Sequence, residues 1–191
     1  AARSAMALGA SVKVFDNSIA RLRRIQNNLN SRIATSILQP KVLEKALRRA
    51  DVAIGALGTS AVRTPCVISD EMVQLMKSKS VIVDVSIDKG GCFETSEITN
   101  HEKPTFVKHD VIHYCVPNIA SRSSKTASYS LSNVLAPILL EVGDGGGVQG
   151  MLLRSQNIRC GVYVYNGVIT NKGIGSWFEL PFKEIRLILG L

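Results

Sequence analysis

The chain has 191 residues, of which 46% are hydrophobic and 20% are charged, and its formal net charge is +8. It is long enough for one large globular domain, or for one domain and part of another. No apolar run approaches the roughly 20 residues that span a bilayer, so we expect no membrane partner. The basic clusters at 21–24 and 48–49 lie in predicted amphipathic helices without interleaved aromatic residues, so we expect no nucleic-acid partner.

Cysteine and histidine show no metal-binding or redox spacing. There is no C-x-x-C pair and no nearby histidine pair at ligand spacing, which predicts no metal site, reduced thiols and a cytoplasmic protein. The histidines fall in irregular or edge segments and are expected to be structural or exposed. The residues concerned are Cys66, Cys92, Cys115, Cys160, His101, His109 and His113.

Helical and strand patterns alternate through the first part of the chain. This alternation predicts an α/β fold, a Rossmann-type doubly wound parallel sheet with helices on both faces. The pattern lacks the first strand of such a sheet and the glycine-rich turn after it, so we expect the chain to begin just after the phosphate-binding loop. Helices are predicted at 1–8, at 18–29, from Pro40 and after the capping Ser69, and strands at 11–15, 33–38, 51–57 and 81–85.

Further along, the regular alternation stops. Residues 95–103 are polar and irregular, and the short apolar segments 105–107 and 111–114 are interpreted as edge strands. Residues 115–118 are predicted to form a loop, because a proline lies within them.

A long helix is predicted from Arg122, with Pro137 expected to kink or interrupt it. The glycine-rich stretch at 143–147 indicates a linker. We therefore predict an N-terminally truncated NAD-binding domain at 1–142. Residues 143–191 are then the linker and the C-terminal segment of a second, substrate domain, because they are too few for an independent domain.

The most informative stretch follows the predicted strand at 81–85. Asp88 comes just beyond the carboxyl end of that strand, and Gly90 and Gly91 permit a sharp turn or the close approach of a ligand. Ligands of open α/β sheets bind beyond the carboxyl ends of strands. Asp88 is therefore a candidate for proton transfer or substrate orientation. The alternative is a solvated turn aspartate.

Asp16, after the strand at 11–15, is the second candidate. A carboxylate there accepts hydrogen bonds from the adenosine ribose and repels a 2′-phosphate, which favours NAD over NADP. It is also a possible N-cap for the helix from Ser18. Arg21 either stacks near the adenine or faces solvent. The loop at Leu57 and Gly58 either passes along the cofactor or is an ordinary turn.

Several strings in the chain resemble the nucleotide-binding domain of the alanine dehydrogenase family, in order and spacing, over residues 1 to about 142. A further segment, 166–172, resembles the C-terminal tail of a bacterial branch of that family. The related NAD-binding subunit of proton-translocating transhydrogenase shares the fold but usually varies the string at 87–95. The strings are IDKGGCFET at 87–95, HYCVPN at 113–118, KTASY at 125–129 and LSN at 131–133.

This resemblance implies a homo-oligomeric enzyme that uses NAD for the reversible oxidative deamination of L-alanine to pyruvate and ammonia. Asp88 is then the active-site carboxylate, which orients or activates the water and amine at the imine stage. Asp16 would hold the ribose, with Arg21 beside the adenosine. The residues implied to line the nicotinamide side are Leu57, Gly58, Val85, Ser86, Ile87, Asp88, Val116, Pro117, Asn118 and Ile119.

The chain also departs from the family pattern. The glycine fingerprint, the catalytic histidine and the arginine and lysine that grip the substrate all lie upstream in the family, so we expect this chain to be inactive alone. Glu97 replaces a common arginine, and Pro117 and Ile119 replace a common alanine and methionine. The alternatives are the NAD-binding subunit of a transhydrogenase and a non-catalytic nucleotide-binding fragment.

Overall fold

The computed structural model describes residues 1–29, 32–58 and 63–191. The strands are β1 (Lys13–Phe15), β2 (Ala34–Ser36), β3 (Val52–Gly55), β4 (Val81–Asp84), β5 (Thr105–Lys108), β6 (Val111–Tyr114), β7 (Val164–Tyr165) and β8 (Val168–Ile169). The α-helices are α1 (Ala2–Ala7), α2 (Ile19–Leu29), α3 (Pro40–Leu47), α4 (Asp70–Gln74), α5 (Ser124–Asp144), α6 (Gly147–Arg154), α7 (Gln156–Cys160), α8 (Lys172–Trp177) and α9 (Ile185–Leu189). Two 3-10 helices span Val85–Lys89 and Ile119–Ser123.

The predicted alternation of helices and strands up to β4 is confirmed. Pro40 occupies the first turn of α3, where its missing N–H group costs nothing. Ser69 caps α4 by accepting a hydrogen bond from the Met72 backbone N–H at 3.4 Å. Gly9 follows α1 in the left-handed region, with φ of +84°. Local sequence signals therefore fix where these helices begin or end.

The parallel strands form two sheets rather than one. One sheet has the order β3-β4-β6-β5, with β3, β4 and β6 parallel, and the other is the parallel pair β1-β2. Within the described residues, no ladder joins the two sheets. A Rossmann sheet has its first strand between these two groups. The gap is therefore where the strand that the sequence pattern lacks would lie.

Two strand predictions need correction. Residues 111–114 do not form an edge strand: β6 lies between β4 and β5, and of the two segments predicted as edge strands only β5 lies at an edge of the sheet. His109 and Asp110 make a tight hairpin turn with φ of 53° and 61°, which turns β5 back along β6. In addition, the strand from Val81 ends at Asp84, and Val85–Lys89 is a 3-10 helix.

The core lies between the four-stranded sheet and helices α3 and α4. It includes the fully buried Ile82 at the centre of β4 and Val73 on α4. These apolar side chains supply most of the burial that stabilises the domain. The members of the buried cluster are Leu43, Leu47, Ile68, Val73, Met76, Ile82, Cys92, Phe93 and Val111.

Helix α5 is not interrupted at Pro137, and it extends into the stretch predicted as a linker. It continues through Pro137 without interruption and ends at Asp144, so only Gly145 and Gly146 separate it from α6 at the predicted linker. None of its side chains is buried. Within the described residues, no helix is both long and apolar enough to cross a membrane. The large exposed apolar side chains of α5 are Tyr129, Leu131, Val134, Leu135, Leu139 and Leu140.

Candidate functional site

Three loops meet at the carboxyl end of the parallel strands of the four-stranded sheet. β3, β4 and β6 are adjacent and parallel, so their carboxyl ends lie at the same edge. The loops that leave this edge carry Leu57 and Gly58 after β3, 85–88 after β4 and 116–119 after β6. The structure therefore brings together ten of the predicted site residues, although they are separated in sequence.

Asp88 lies in the last turn of the 3-10 helix after β4, and it is exposed. Its Oδ1 accepts a hydrogen bond from the Asn118 backbone N–H at 2.8 Å. Asn118 adopts a left-handed conformation, with φ of 52°, which is tolerated by asparagine. Among the described residues, this is the only hydrogen bond to the Asp88 carboxylate. It joins the loop after β4 to the loop after β6 and leaves the carboxylate open to a ligand.

A second carboxylate, Asp84, lies four positions earlier, at the end of β4. It is 1% exposed. Its Oδ1 accepts the Ser86 N–H at 3.0 Å, and its Oδ2 accepts the Cys92 N–H at 2.9 Å and the Ser96 hydroxyl at 2.8 Å. A longer contact of 3.5 Å joins Oδ2 to the Phe93 N–H. A buried charge is tolerated when such donors surround it.

Asp84 was not a predicted site residue, because the apolar pattern of the strand dominated the interpretation. The signal was present in the sequence: an acidic residue inside a buried β-branched strand requires partners. Gly91 supplies room for it, since an added Cβ there would lie 2.7 Å from Asp84 Oδ2, and its φ is +75°. Gly55 is equally constrained, because an added Cβ would lie 2.4 Å from Cys92 Sγ.

The thiols around this site are poor nucleophiles. Burial, followed by the negative charge of Asp84, raises the pKa of Cys92 to about 12. Burial is also the main cause that raises the pKa of Cys115 and of Cys66. With their pKa values raised, these cysteines stay protonated at neutral pH. Because the thiolate is the reactive form, they react poorly.

Ser86 and Ile87 are buried, whereas Val85 and Asp88 are exposed. The Ser86 hydroxyl accepts a hydrogen bond from the Leu57 N–H at 2.9 Å and lies 3.4 Å from the Leu57 carbonyl oxygen. Ser86 therefore ties the loop after β3 to the loop after β4.

In the loop after β6, Val116 is buried and Pro117 is half-buried, while Asn118 and Ile119 are exposed. Among the predicted site residues, those exposed at this end of the sheet are Gly58, Val85, Asp88, Asn118 and Ile119. An added Cβ at Gly58 would meet no described atom within 4 Å. None of the described atoms prevents a ligand from approaching the backbone closely at this position.

Asp16 follows β1, in the separate two-stranded sheet. Its Oδ1 accepts the Ser18 N–H at 2.7 Å in a turn that precedes α2, and the Ser18 hydroxyl accepts the Arg21 N–H at 3.4 Å. The N-cap position of α2 is therefore Ser18 and not Asp16. Its Oδ2 lies 3.7 Å from Nη1 of Arg21, and the Asp16 side chain is 27% exposed. The contacts with Ser18 and Arg21 leave part of the carboxylate accessible to solvent.

Of the three histidines, His113 is buried, whereas His101 and His109 are exposed. His113 is fully buried, stacks on Phe106 with a 4.8 Å centroid separation, and bonds to the Thr95 hydroxyl at 2.8 Å. His109 contacts Asp70 at 2.8 Å, and His101 contacts Ser121 at 2.7 Å. Over the ranges that the structure describes, no three His, Cys, Asp or Glu side chains are grouped to hold a metal ion.

An α/β unit whose parallel strands direct their loops to one crevice is a Rossmann-type nucleotide-binding domain. The chain belongs to the family described as alanine dehydrogenase/PNT, C-terminal domain, whose model matches residues 1–172. Membership in this family implies a nicotinamide cofactor.

Curated relatives support this assignment. The chain is 37% identical over 190 residues to alanine dehydrogenase of Halomonas elongata, and this match covers 100% of the chain and 51% of the relative. It is 33% identical over 192 residues to alanine dehydrogenase 2 of Staphylococcus aureus, again covering 51% of the relative. The chain therefore spans about half the length of these relatives.

Solved structures show the same fold. An L-alanine dehydrogenase superposes with a TM-score of 0.82 at 31% identity, over 93% of this chain and 49% of that one. A transhydrogenase from Sinorhizobium meliloti superposes with a TM-score of 0.62 at 23% identity, over 72% of this chain and 39% of that one. The transhydrogenase likeness shows the fold alone.

Proposed function

We propose that this chain is the cofactor-binding half of an NAD-dependent alanine dehydrogenase, inactive by itself. The overall reaction converts L-alanine, NAD⁺ and water to pyruvate, ammonium, NADH and a proton, and it is reversible. The single observation that carries the proposal is the exposed Asp88 carboxylate, hydrogen-bonded to Asn118 at the sheet edge where three loops meet. The relatives named alanine dehydrogenase, which match the whole chain, support L-alanine as the substrate.

The described residues suit NAD as the cofactor. Asp16 has a partly exposed carboxylate at the end of β1, where it would accept hydrogen bonds from the adenosine ribose and repel a 2′-phosphate. Arg21 would flank the adenosine. The open space at Gly58 would let the cofactor lie against the backbone. When bound, the nicotinamide supplies the hydride chemistry, and the protein supplies position and charge.

Asp88 is the residue we assign to the chemistry. An exposed carboxylate held by one backbone N–H has oxygen lone pairs left to accept protons from a water molecule or an amine. In deamination it would orient the water that attacks the imine carbon, and in amination it would orient ammonia. Val85, Ile119 and the backbone at 116–118 would cover the ring and exclude bulk water from it. These roles require substrate-gripping residues supplied by the other half of the enzyme.

Three further expectations belong to the same proposal. We assign residues 1–142 to the NAD-binding domain and 143–191 to the linker and the substrate domain; the family model extends past this boundary, to residue 172.

We infer a homo-oligomer, because α5 buries no side chain within the described chain and Leu139 and Leu140 are 68% and 69% exposed. We infer a cytoplasmic location from the reduced cysteines.

An assay of the protein expressed from its complete open reading frame tests the function. With L-alanine and NAD⁺ we expect NADH to accumulate, measured by its absorbance, and with NADP⁺ we expect a much lower rate because of Asp16. No signal with alanine, combined with hydride exchange between NADH and an NADP analogue, would reject alanine dehydrogenase in favour of a transhydrogenase.

Two controls separate the chain's contribution from that of the whole enzyme. Residues 1–191 alone should show no turnover and weak or absent NADH binding by calorimetry. Tight binding by this piece would contradict the assignment of the pyrophosphate site to an upstream glycine loop. Light scattering of the complete protein should show an oligomer, and a monomer would remove that part of the proposal.

A further inference from the structure

The turn that carries Asp88 is contacted at three consecutive positions by two segments, one at Asn118 and one at Arg63 and Thr64. Asp88 accepts the Asn118 N–H at 2.8 Å, and the carbonyl oxygen of Lys89 accepts the Thr64 N–H, also at 2.8 Å. The next residue, Gly90, lies against the side chain of Arg63. The first two contacts involve backbone N–H groups, so the third is the one that depends on a side chain of the neighbouring loop.

The contact between Arg63 and Gly90 is close. A Cβ added to Gly90 would lie 2.9 Å from Arg63 Nε, 3.2 Å from its Cγ and 3.6 Å from its Cδ. Gly90 also has φ of +94°, and its N–H donates to the Ile87 carbonyl oxygen at 2.9 Å. A side chain at position 90 would therefore be strained and would also push Arg63 away.

The surroundings of Arg63 indicate which part of its side chain acts. Arg63 is exposed, whereas the next residue, Thr64, is 3% exposed and anchors the loop to Lys89. Long basic side chains commonly pack their methylene groups on a surface and keep the charged group in water. The anchored backbone at Thr64 thus fixes the starting point of the Arg63 stem, which lies beside the exposed Gly90.

We propose that Arg63 is a positioning residue for the proposed reaction: its stem packs on Gly90 and fixes the turn that aims Asp88. The inference rests on the proposed function, in which Asp88 is the reacting carboxylate. Arg63 acts through the turn and not on the substrate. Small displacements of a reacting group lower the rate strongly, about 10²-fold for 1 Å. Cofactor affinity depends on other residues and is unaffected.

The test uses the complete enzyme with Arg63→Ala, Arg63→Met and Arg63→Lys, and with Arg23→Ala on α2 as the matched exposed control. Arg63→Ala removes the stem and should lower kcat by about 10-fold, with the Kd for NADH changed by less than about 3-fold. Arg63→Met and Arg63→Lys keep the stem and should stay within about 3-fold of the wild-type kcat. The control should match the wild type.

A second arm does not depend on turnover. Amide hydrogen exchange should be about 10-fold faster at Gly90 and Asn118 in Arg63→Ala, but not in Arg63→Met. Gly90→Ala should lower kcat several-fold less in the Arg63→Ala background than in the wild type, because its collision partner is gone. If the wild type lacks alanine activity, the proposed function fails and the exchange arm still decides whether Arg63 holds the turn.

Two results would overturn the inference. If Arg63→Met lost as much activity as Arg63→Ala, the charge would be the cause and not the packing of the stem. If Arg63→Ala changed neither kcat nor exchange at Gly90, the turn would be held by Thr64 and Asn118 without help from Arg63.

Discussion

Asp84 and Asp88 are two carboxylates four residues apart at the same end of β4, yet their surroundings are opposite. Asp84 is 1% exposed and accepts hydrogen bonds from two backbone N–H groups at 3.0 Å or less and from one hydroxyl. Asp88 is exposed and, among the described residues, accepts one hydrogen bond, from the Asn118 N–H. The donors around Asp84 are used within the protein. Only Asp88 has capacity left for a ligand.

The difference follows from the direction of the chain. Asp84 is the last residue of β4, so the loop that follows it folds back over its side chain. Asp88 lies in the last turn of the 3-10 helix, which ends at Lys89, and the left-handed Gly90 then turns the chain away from it. A buried carboxylate thus organises the loop, and the loop presents the exposed one. Each of the following predictions breaks or sharpens this distinction.

The largest expected effect is on turnover in Asp88→Asn. Since this change removes a carboxylate that acts in proton transfer but leaves the shape intact, kcat of the complete enzyme should fall about 10²- to 10⁴-fold. The Kd for NADH and the free energy of unfolding should change little. Steady-state kinetics, calorimetry and denaturation measure the three quantities.

Asp51→Asn is the matched control for that experiment. Asp51 is exposed and pairs with Lys77 at 2.6 Å, and such surface pairs contribute about 0–1 kcal/mol. It should leave kcat unchanged. A loss of NADH affinity equal to the loss of kcat in Asp88→Asn would make Asp88 a binding residue and remove the contrast with Asp84.

The second prediction concerns Asp84→Asn. An amide group in that position faces N–H donors on both sides, so at least one of its hydrogens opposes another donor. We expect the free energy of unfolding to fall by about 2–4 kcal/mol, measured by urea denaturation. Wild-type stability in this variant would show that the Asp84 contacts do not organise the loop.

These two residues also show how far the sequence alone leads. Asp88 was predictable, because its place after an apolar strand and before two glycines is a local pattern. Asp84 was not singled out, since its donors at Cys92, Phe93 and Ser96 come from a loop that folds back over it. The contact between Asp88 and Asn118 spans 30 positions and has no local signal.

In the fold, too, features with a local sequence signal were predictable and features that depend on distant contacts were not. The boundaries of α3 and α4 follow from Pro40 and Ser69, which act on their own helices. The interior place of β6 depends on pairing with β4, 30 residues away, and a short apolar run does not reveal it. Pro137 was predicted to kink or interrupt α5, and the helix continues through it without interruption.

A smaller effect is expected from Ser86→Ala, which acts on the loop that Asp84 organises. The change leaves the Leu57 N–H without the hydroxyl that accepts its hydrogen bond at 2.9 Å. We expect a loss of about 1 kcal/mol in the free energy of unfolding. The Kd for NADH should rise slightly, because Leu57 precedes Gly58 in the cofactor loop.

Ser130→Ala is the matched control for Ser86→Ala, since the Ser130 hydroxyl donates only within exposed α5, to the Thr126 carbonyl oxygen. It should not change NADH affinity. Equal effects of the two substitutions on affinity would mean that Ser86 does not support the cofactor loop.

The smallest expected effect is a pH dependence of the free energy of unfolding that is due to His113. This side chain is buried in its neutral form, in contrast to the buried carboxylate of Asp84. Burial lowers the pKa of His113 below its ordinary 6.5, against the opposing effect of the Val111 carbonyl oxygen. Because the unfolded chain binds this proton more readily, the free energy of unfolding should fall as the pH drops below 6.5. The slope cannot exceed one proton, about 1.4 kcal/mol per pH unit. Above pH 6.5 this contribution is constant.

His113→Gln should remove that slope, because glutamine still donates and accepts hydrogen bonds but does not titrate. Asp70 provides an internal check in a different pH range. The hydrogen bond from His109, followed by one from Gln74, lowers the pKa of Asp70 from 3.8, so its contribution is lost only at more acidic pH. Urea denaturation between pH 5 and 7 therefore isolates His113, and an unchanged slope in His113→Gln would assign the titration to another group.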